Sequence, residues 1–252
     1  MMTKDPVLTL LSDRFAPVTS AVGFLRLPLE EGLAGLRAWR EQLHGAVEVV
    51  RLDGELPGFL ERLQPLTGGV RQRELLVATV ADDWIAYFDC GVQGGDPVSV
   101  VGHLSRSLQC QGVVVCSIPH TFGTSLEAPG RYGAVQFELF GPVATDYLNY
   151  VRTISLVHDG SRWRFDATGA VQDFEQTGSY SARRLRDRFT SAMAADYCRA
   201  LGVRPFDSDF YGRRAVLLEN PAVVPPGARI LDLQATQHWL GIVPGVAERT
   251  TG

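Results

Sequence analysis

Four groups of residues have types and spacing suited to chemistry. Asp89, Cys90 and His103 make an orienter, nucleophile and base set, since a thiol is activated by a nearby imidazole that an acceptor holds in place. Cys90 closes an aromatic strand beside a glycine-rich loop, a common position for a nucleophile, but no cysteine-hydrolase signature surrounds it. Cys110, Cys116 and His120 carry the thiolate and imidazole donors that zinc takes. Their spacing matches no zinc signature, and two apolar cysteines at the ends of a buried strand is the simpler reading. Gly91-Val92-Gln93-Gly94-Gly95-Asp96 has the outline of a phosphate cradle ahead of a helix. Asp96 at the cap opposes an anion there, so a turn closed by an N-cap is the expectation. Arg183, Arg184, Arg186 and Arg188 crowd the start of a predicted helix, where cations are electrostatically disfavoured. They suit either an anion contact or a solvated face in which Asp187 pairs with Arg183.

Composition removes several reaction classes. Lys4 is the only lysine in the chain. It follows no glycine-rich loop, so a Walker A site is excluded, and with it a core Schiff-base lysine and the strand lysine of protein kinases. The net charge of −4 argues against a general nucleic-acid binder, which needs a basic footprint. The four cysteines include no CxxC pair. Met1 to Asp13 has an acid at Asp5 and no long apolar core, unlike a signal peptide, and no apolar run approaches the roughly 20 residues of a membrane helix. The expectation is a cytoplasmic protein with reduced thiols and no membrane association.

The elements that must position these groups read as follows. A strand over Val22 to Leu27 leads through Pro28 into a helix with Leu29, Leu33, Leu36 and Leu43 at helical spacing, ended by Gly45. Val47 to Leu52 is a strand and Pro57 to Leu63 a short helix. Glu74 to Val80 and Trp84 to Phe88 pair around Asp82-Asp83, with Trp84, Ala86 and Phe88 on one face and Ile85 and Tyr87 on the other. Asp96 and Pro97 open a helix through Leu108, and Val113 to Ile118 is a buried strand. In the strand Arg131 to Phe140, Val135, Phe137 and Leu139 point one way and Gln136 and Glu138 the other. Thr153 to Phe165 is a hairpin turned at Asp159-Gly160, and Tyr180 to Leu201 a long amphipathic helix. Arg214 to Leu218 is a final strand, Leu233 to Leu240 a short helix, and 246–252 a disordered tail. The fold class is α+β, a mainly antiparallel sheet with helices packed on its faces. Residues 1–245 form one domain, with a possible subdomain split near 65–73.

Asp83-Trp84-Ile85-Ala86-Tyr87-Phe88-Asp89, Gly94-Gly95-Asp96-Pro97 and Trp163-Arg164-Phe165 with Phe174-Glu175 form a set that resembles uncharacterised bacterial proteins. The hairpin and its following Phe-Glu pair are similar to those of immunity proteins of bacterial toxin systems. That resemblance implies a cytoplasmic protein that binds and blocks a protein partner and uses no cofactor; it assigns no catalytic residues. The leading expectation is a non-enzymatic interaction protein. A hydrolase or transferase built on Asp89, Cys90 and His103 is one alternative. A small-molecule-binding domain with a pocket lined by Tyr87, Gln136 and Glu138 is another. The candidate binding residues are Tyr87, Asp89, Gln136, Glu138, Arg183 and Arg186, with no metal site.

Overall fold

The computed structural model describes residues 7–123, 130–145 and 148–245. In β1 (Ala21–Leu25), Val22 and Phe24 enter one hydrophobic core and Leu25 the other, because successive strand side chains point to opposite faces. Pro28 caps helix α1 (Leu29–His44), and β2 (Glu48–Asp53), α2 (Leu56–Glu61) and the short β3 (Leu66–Thr67) follow. β4 (Arg73–Thr79) and β5 (Ile85–Asp89) pair across the Asp82-Asp83 turn. Helix α3 (Pro97–Ser107) leads into the buried β6 (Gly112–Ile118). β7 (Ala134–Phe140), β8 (Tyr150–His158) and β9 (Trp163–Gly169) form a meander. Helix α4 (Ser191–Ala200), β10 (Tyr211–Glu219), β11 (Ile230–Leu231) and α5 (Leu233–Leu240) complete the described chain.

Nine strands make one antiparallel sheet in the order β2-β10-β4-β5-β1-β6-β7-β8-β9, and β11 pairs with β3 in a second, small sheet. The architecture is α+β with helices packed on the sheet, as the sequence predicts. Strands from both sides of the 65–73 segment interleave: β1 lies between β5 and β6. One sheet face carries the larger core, where Phe24, Trp84, Phe88, Phe137 and Leu217 pack with α2 and α4. The other carries Leu36, Leu76, Ile85, Tyr87 and Val114 beneath α1 and α3. Full burial of each such side chain contributes about 1.5–3 kcal/mol.

Two glycines seat α3. A Cβ on Gly23 would lie 2.6 Å from Val101 Cγ2 and 2.8 Å from Pro97 Cβ, and one on Gly112 would lie 2.5 Å from Val101 Cγ1. Beyond α3 the same face continues across β7, β8 and β9, with Gln136, Glu138, Thr153, Ser155, Asp166 and Thr168 half-buried or exposed.

Three local expectations are corrected. The Tyr180 to Leu201 helix is two 3₁₀ turns, Thr177–Ser181 and Leu185–Asp187, followed by α4. Thr190 starts the helix late, because its backbone is extended and its side chain accepts from the Met193 N–H at 3.2 Å. The arginine run therefore precedes a helix and does not begin one. The Asp159-Gly160 hairpin closes through four residues: His158 pairs with Trp163, and Asp159 Oδ1 accepts from the Ser161 and Arg162 N–H groups. An aspartate that bonds the backbone ahead of it makes its own turn. β10 is not the final strand, since β11 follows; two-residue strands are too short to show alternation. The tail 246–252 and Lys4 lie outside the described residues.

Gly23→Ala is expected to cost about 1–3 kcal/mol in urea unfolding, the range for overpacking a filled core. Adding Val101→Ala should recover part of that loss. Strictly additive losses would show that α3 does not bear on Gly23.

Candidate functional site

Under α1 and α3 the smaller core holds a cluster of charged side chains. Glu74 and Asp89 stand at paired positions of β4 and β5 and are buried. Arg40 of α1 forks onto Glu74 with bonds of 2.6 and 2.7 Å. The Tyr87 hydroxyl donates to Glu74 at 2.7 Å and lies 3.4 Å from Asp89 Oδ2. Arg71 Nε lies 3.1 Å from Asp89, and its Nη2 lies 2.5 Å from Asp96. The backbone N–H groups of Gly91 and Asp96 donate to Asp89 at 2.9 and 3.0 Å. Burial raises the Asp89 pKa, with Arg71 and the two N–H donors opposing. Burial, then Glu74 and Asp89, push Tyr87 well above its ordinary value and keep its phenol a donor. Every oxygen of both carboxylates has a partner, so the cluster is a clamp that ties α1 to β4 and folds the 90–96 loop over the end of β5. The glycine-rich loop does cradle an anion, and the anion is the chain's own Asp89. The outer end of the cluster lines a pocket of about 620 Å³, across which Arg229 stacks on Trp239 at 4.0 Å.

A second pocket, about 750 Å³, opens past α3 on the continuing sheet face. Its floor includes one cross-strand row: Glu138 pairs with Thr153 and Thr153 with Thr168, the two hydroxyls 2.6 Å apart. A bulge in β8 brings Tyr150 opposite Phe140, on Glu138's side of the sheet. The Tyr150 hydroxyl hydrogen-bonds to the Glu138 carboxyl. The other carboxyl oxygen, Oε2, is buried without a hydrogen-bond partner among the described residues. Burial pushes the Glu138 pKa up to about 7, Tyr150 opposes that rise, and the charge of Asp96 adds to it. A buried polar atom without a partner costs about 1–3 kcal/mol. Asp89 is saturated by the fold and Glu138 is not, which makes Glu138 the stronger candidate for a ligand contact.

The predicted site residues fall into separate places. Tyr87 and Asp89 meet in the clamp. Gln136 and Glu138 share a face of β7. The row Tyr87, Gly23, Val114, Glu138 runs across four strands, but α3 rests on Gly23 between its ends. Tyr87 is fully buried, so a single pocket lined by Tyr87, Gln136 and Glu138 does not form. Asp89, Cys90 and His103 are not brought together. Cys90 is buried in the larger core, its Sγ 3.3 Å from Thr67 Oγ1 and from the Arg73 N–H. His103 belongs to α3, which packs on the opposite face, and stacks at 3.9 Å on Trp39. Arg183 is exposed, whereas Arg186 lies 5.0 Å over the Trp163 ring. Among the described residues no three His, Cys, Asp or Glu side chains are placed to hold a metal. Burial pushes the Cys116 thiol up to about 12.

Of the residues that carry the resemblance to immunity proteins, Trp163, Phe165, Phe174 and Glu175 are half-buried and Arg164 is exposed. Phe174 packs on Phe137 and Tyr197. Glu175 receives the forked guanidinium of Arg152 at 2.8 and 2.7 Å and the Tyr180 hydroxyl at 2.8 Å. Sequence reasoning missed Arg40, Glu74 and Arg71, and also Tyr150, Thr153 and Thr168 of the pocket. One signal was present: Glu74 opens the apolar run of β4, where an unpaired carboxylate has no place. Comparison with family models, with curated proteins and with solved structures finds no match to this chain.

Arg40→Ala strips Glu74 of its guanidinium and is expected to lose about 3–5 kcal/mol in denaturant unfolding; a loss no larger than that of a surface change would refute the clamp. Glu138 gives a second expectation. Its folded pKa of about 7 exceeds its ordinary 4.5, so ionisation is penalised in the fold, and stability falls as pH rises through that interval. Above it the penalty is on the order of 3 kcal/mol. Glu138→Gln should be more stable than the parent at about pH 8 and converge with it near pH 4.5. A constant difference between the two proteins over that range would place the carboxyl in water.

Proposed function

We propose that this protein is a non-enzymatic binding protein for a small polar molecule, held in the pocket over Glu138. Glu138 Oε2 carries the reading: it is buried, unpartnered among the described residues, and belongs to a residue lining the pocket. A ligand N–H or O–H placed on it would supply the missing bond and remove the cost of leaving it unmade. The volume of about 750 Å³ lies within the range of small-molecule sites, about 300–1,000 Å³. Thr145, Thr153, Thr168 and Tyr150 provide hydroxyls along the lining. Val143, Leu148 and Val171 are exposed apolar side chains close in the chain to the lining residues Thr145, Tyr150 and Ala170. Apolar surface beside a few placed polar groups is the usual make-up of a ligand site.

This reading takes up the small-molecule alternative of the sequence and keeps its non-enzymatic character. The hydrolase or transferase alternative loses its footing because Cys90 and His103 pack on opposite faces of the sheet.

The test is a thermal-shift screen with amines, amides, polyols and carboxylates against the parent protein and Glu138→Ala. At least one class is expected to raise the unfolding midpoint of the parent by several degrees and to lose that effect in the variant. Equal shifts in both proteins, or none with any class, would count against the site.

A further inference from the structure

We propose that the pocket selects a cation: an ammonium group carried on a ligand whose remaining body occupies the open part of the sheet face. The inference rests on the binding-site reading above and adds the charge of the ligand.

The groups around Glu138 set that sign. Its Oε2 is an acceptor awaiting a donor. Asp96, at the start of α3, acts on it as a like charge, weakened by its own pairing with Arg71. On β9, Asp166 stands on the same face, one step along from Thr168. On β6, burial holds the Cys116 thiol neutral, and on β7 Gln136 is uncharged. The two arginines nearest in the lattice of strands are engaged elsewhere. Arg152 lines the pocket, but its guanidinium forks onto Glu175 and the Gly169 carbonyl. Arg164, further along β9, pairs with Asp159. An anionic ligand would therefore meet the Glu138 carboxyl, and the one arginine among the described lining residues, Arg152, is already committed to Glu175.

A carboxyl in this field takes either a proton or a ligand's cation. An ammonium has three donors. Once the Glu138 carboxyl turns its covered Oε2 toward the pocket, one can bond it, while Thr153 and Thr168 offer hydroxyl oxygens to the others. Hydrogen bonds between charged partners are about twice as strong as neutral ones, so a neutral alcohol gains less at the same position. The proton balance is explicit. Below about pH 7 the Glu138 acid is neutral in the free protein, and ammonium binding expels its proton to solvent. Above that value the carboxylate is already charged and no proton is released. Affinity for an ammonium ligand should rise with pH to a plateau and be about tenfold weaker at pH 6 than at pH 8.

Three probes with one skeleton and different charge test this: phenethylamine, 2-phenylethanol and phenylacetate. Each is titrated into the intact protein labelled at glutamate 13Cδ, with the Glu138 signal assigned by its absence from Glu138→Gln. The expected result is that phenethylamine moves this signal, lowers its titration midpoint, and binds about tenfold more tightly at pH 8 than at pH 6. The preference for the amine should vanish in Glu138→Gln, whose amide keeps the shape of the neutral acid. If the alcohol or the carboxylate moves the signal at the same or lower concentration, the cation proposal is overturned while the pocket stands. If none of the three moves it, both fall.

Discussion

A guanidinium delivered to a buried carboxylate, Arg40 on Glu74, is the interaction on which the rest of the molecule depends. Glu74 and Asp89 face each other across two central strands, and removing either from water costs several kcal/mol before any partner arrives. The cost is offset only when α1 brings Arg40, the stretch before β4 brings Arg71, and the 90–96 loop folds its N–H groups inward. Tyr87 links the two carboxylates from between. The cluster also fixes register. A slip of one residue in β4 would turn Glu74 to the opposite face, away from Arg40 and the Tyr87 hydroxyl.

The same sheet face shows what happens where that closure stops. α3 lies on Gly23 and Gly112, and the surface it covers is apolar and complete. Past it, the strands present hydroxyls, an amide and a carboxyl, and among the described residues no helix is laid across them. Burial raises the pKa of both Asp89 and Glu138. Asp89 is answered by three donors from the chain, Glu138 by one. The difference between the two acids is a count of donors, set by whether a loop folds over the group.

Much of the scaffold was legible because its signals are local. The alternation of Trp84, Ala86 and Phe88 against Ile85 and Tyr87 gives the two faces of β5 correctly, and Asp232 and Gly241 bound α5 as a cap and a left-handed stop should. The Tyr180 to Leu201 error has a local cause too: Leu185 and Phe189 continue the apolar spacing of α4 upstream of Thr190, and spacing alone does not reveal the cap. The candidate site was half legible. Glu138 stands with Gln136 on the polar side of an alternating strand, which the sequence reads as one wall of a pocket with Tyr87. Its neighbours Thr153 and Thr168 become neighbours only through strand pairing, and Tyr150 only through a bulge. Cys90 and His103 looked like a pair because the chain is read in one dimension, whereas a sheet separates what its two faces carry.

Arg152 has an implication for how the chain is made. It points from β8 into the interior, and the carboxylate that answers it, Glu175, is separated from it by 23 positions. As the polypeptide emerges from a ribosome, the last hairpin can complete its strands while this cation still lacks a counter-ion. The hairpin therefore gains little from docking early, since doing so would drive an unanswered charge into hydrocarbon. The Phe174-Glu175 turn thus supplies the counter-ion without which the β8–β9 end of the sheet would close over an unpaired guanidinium.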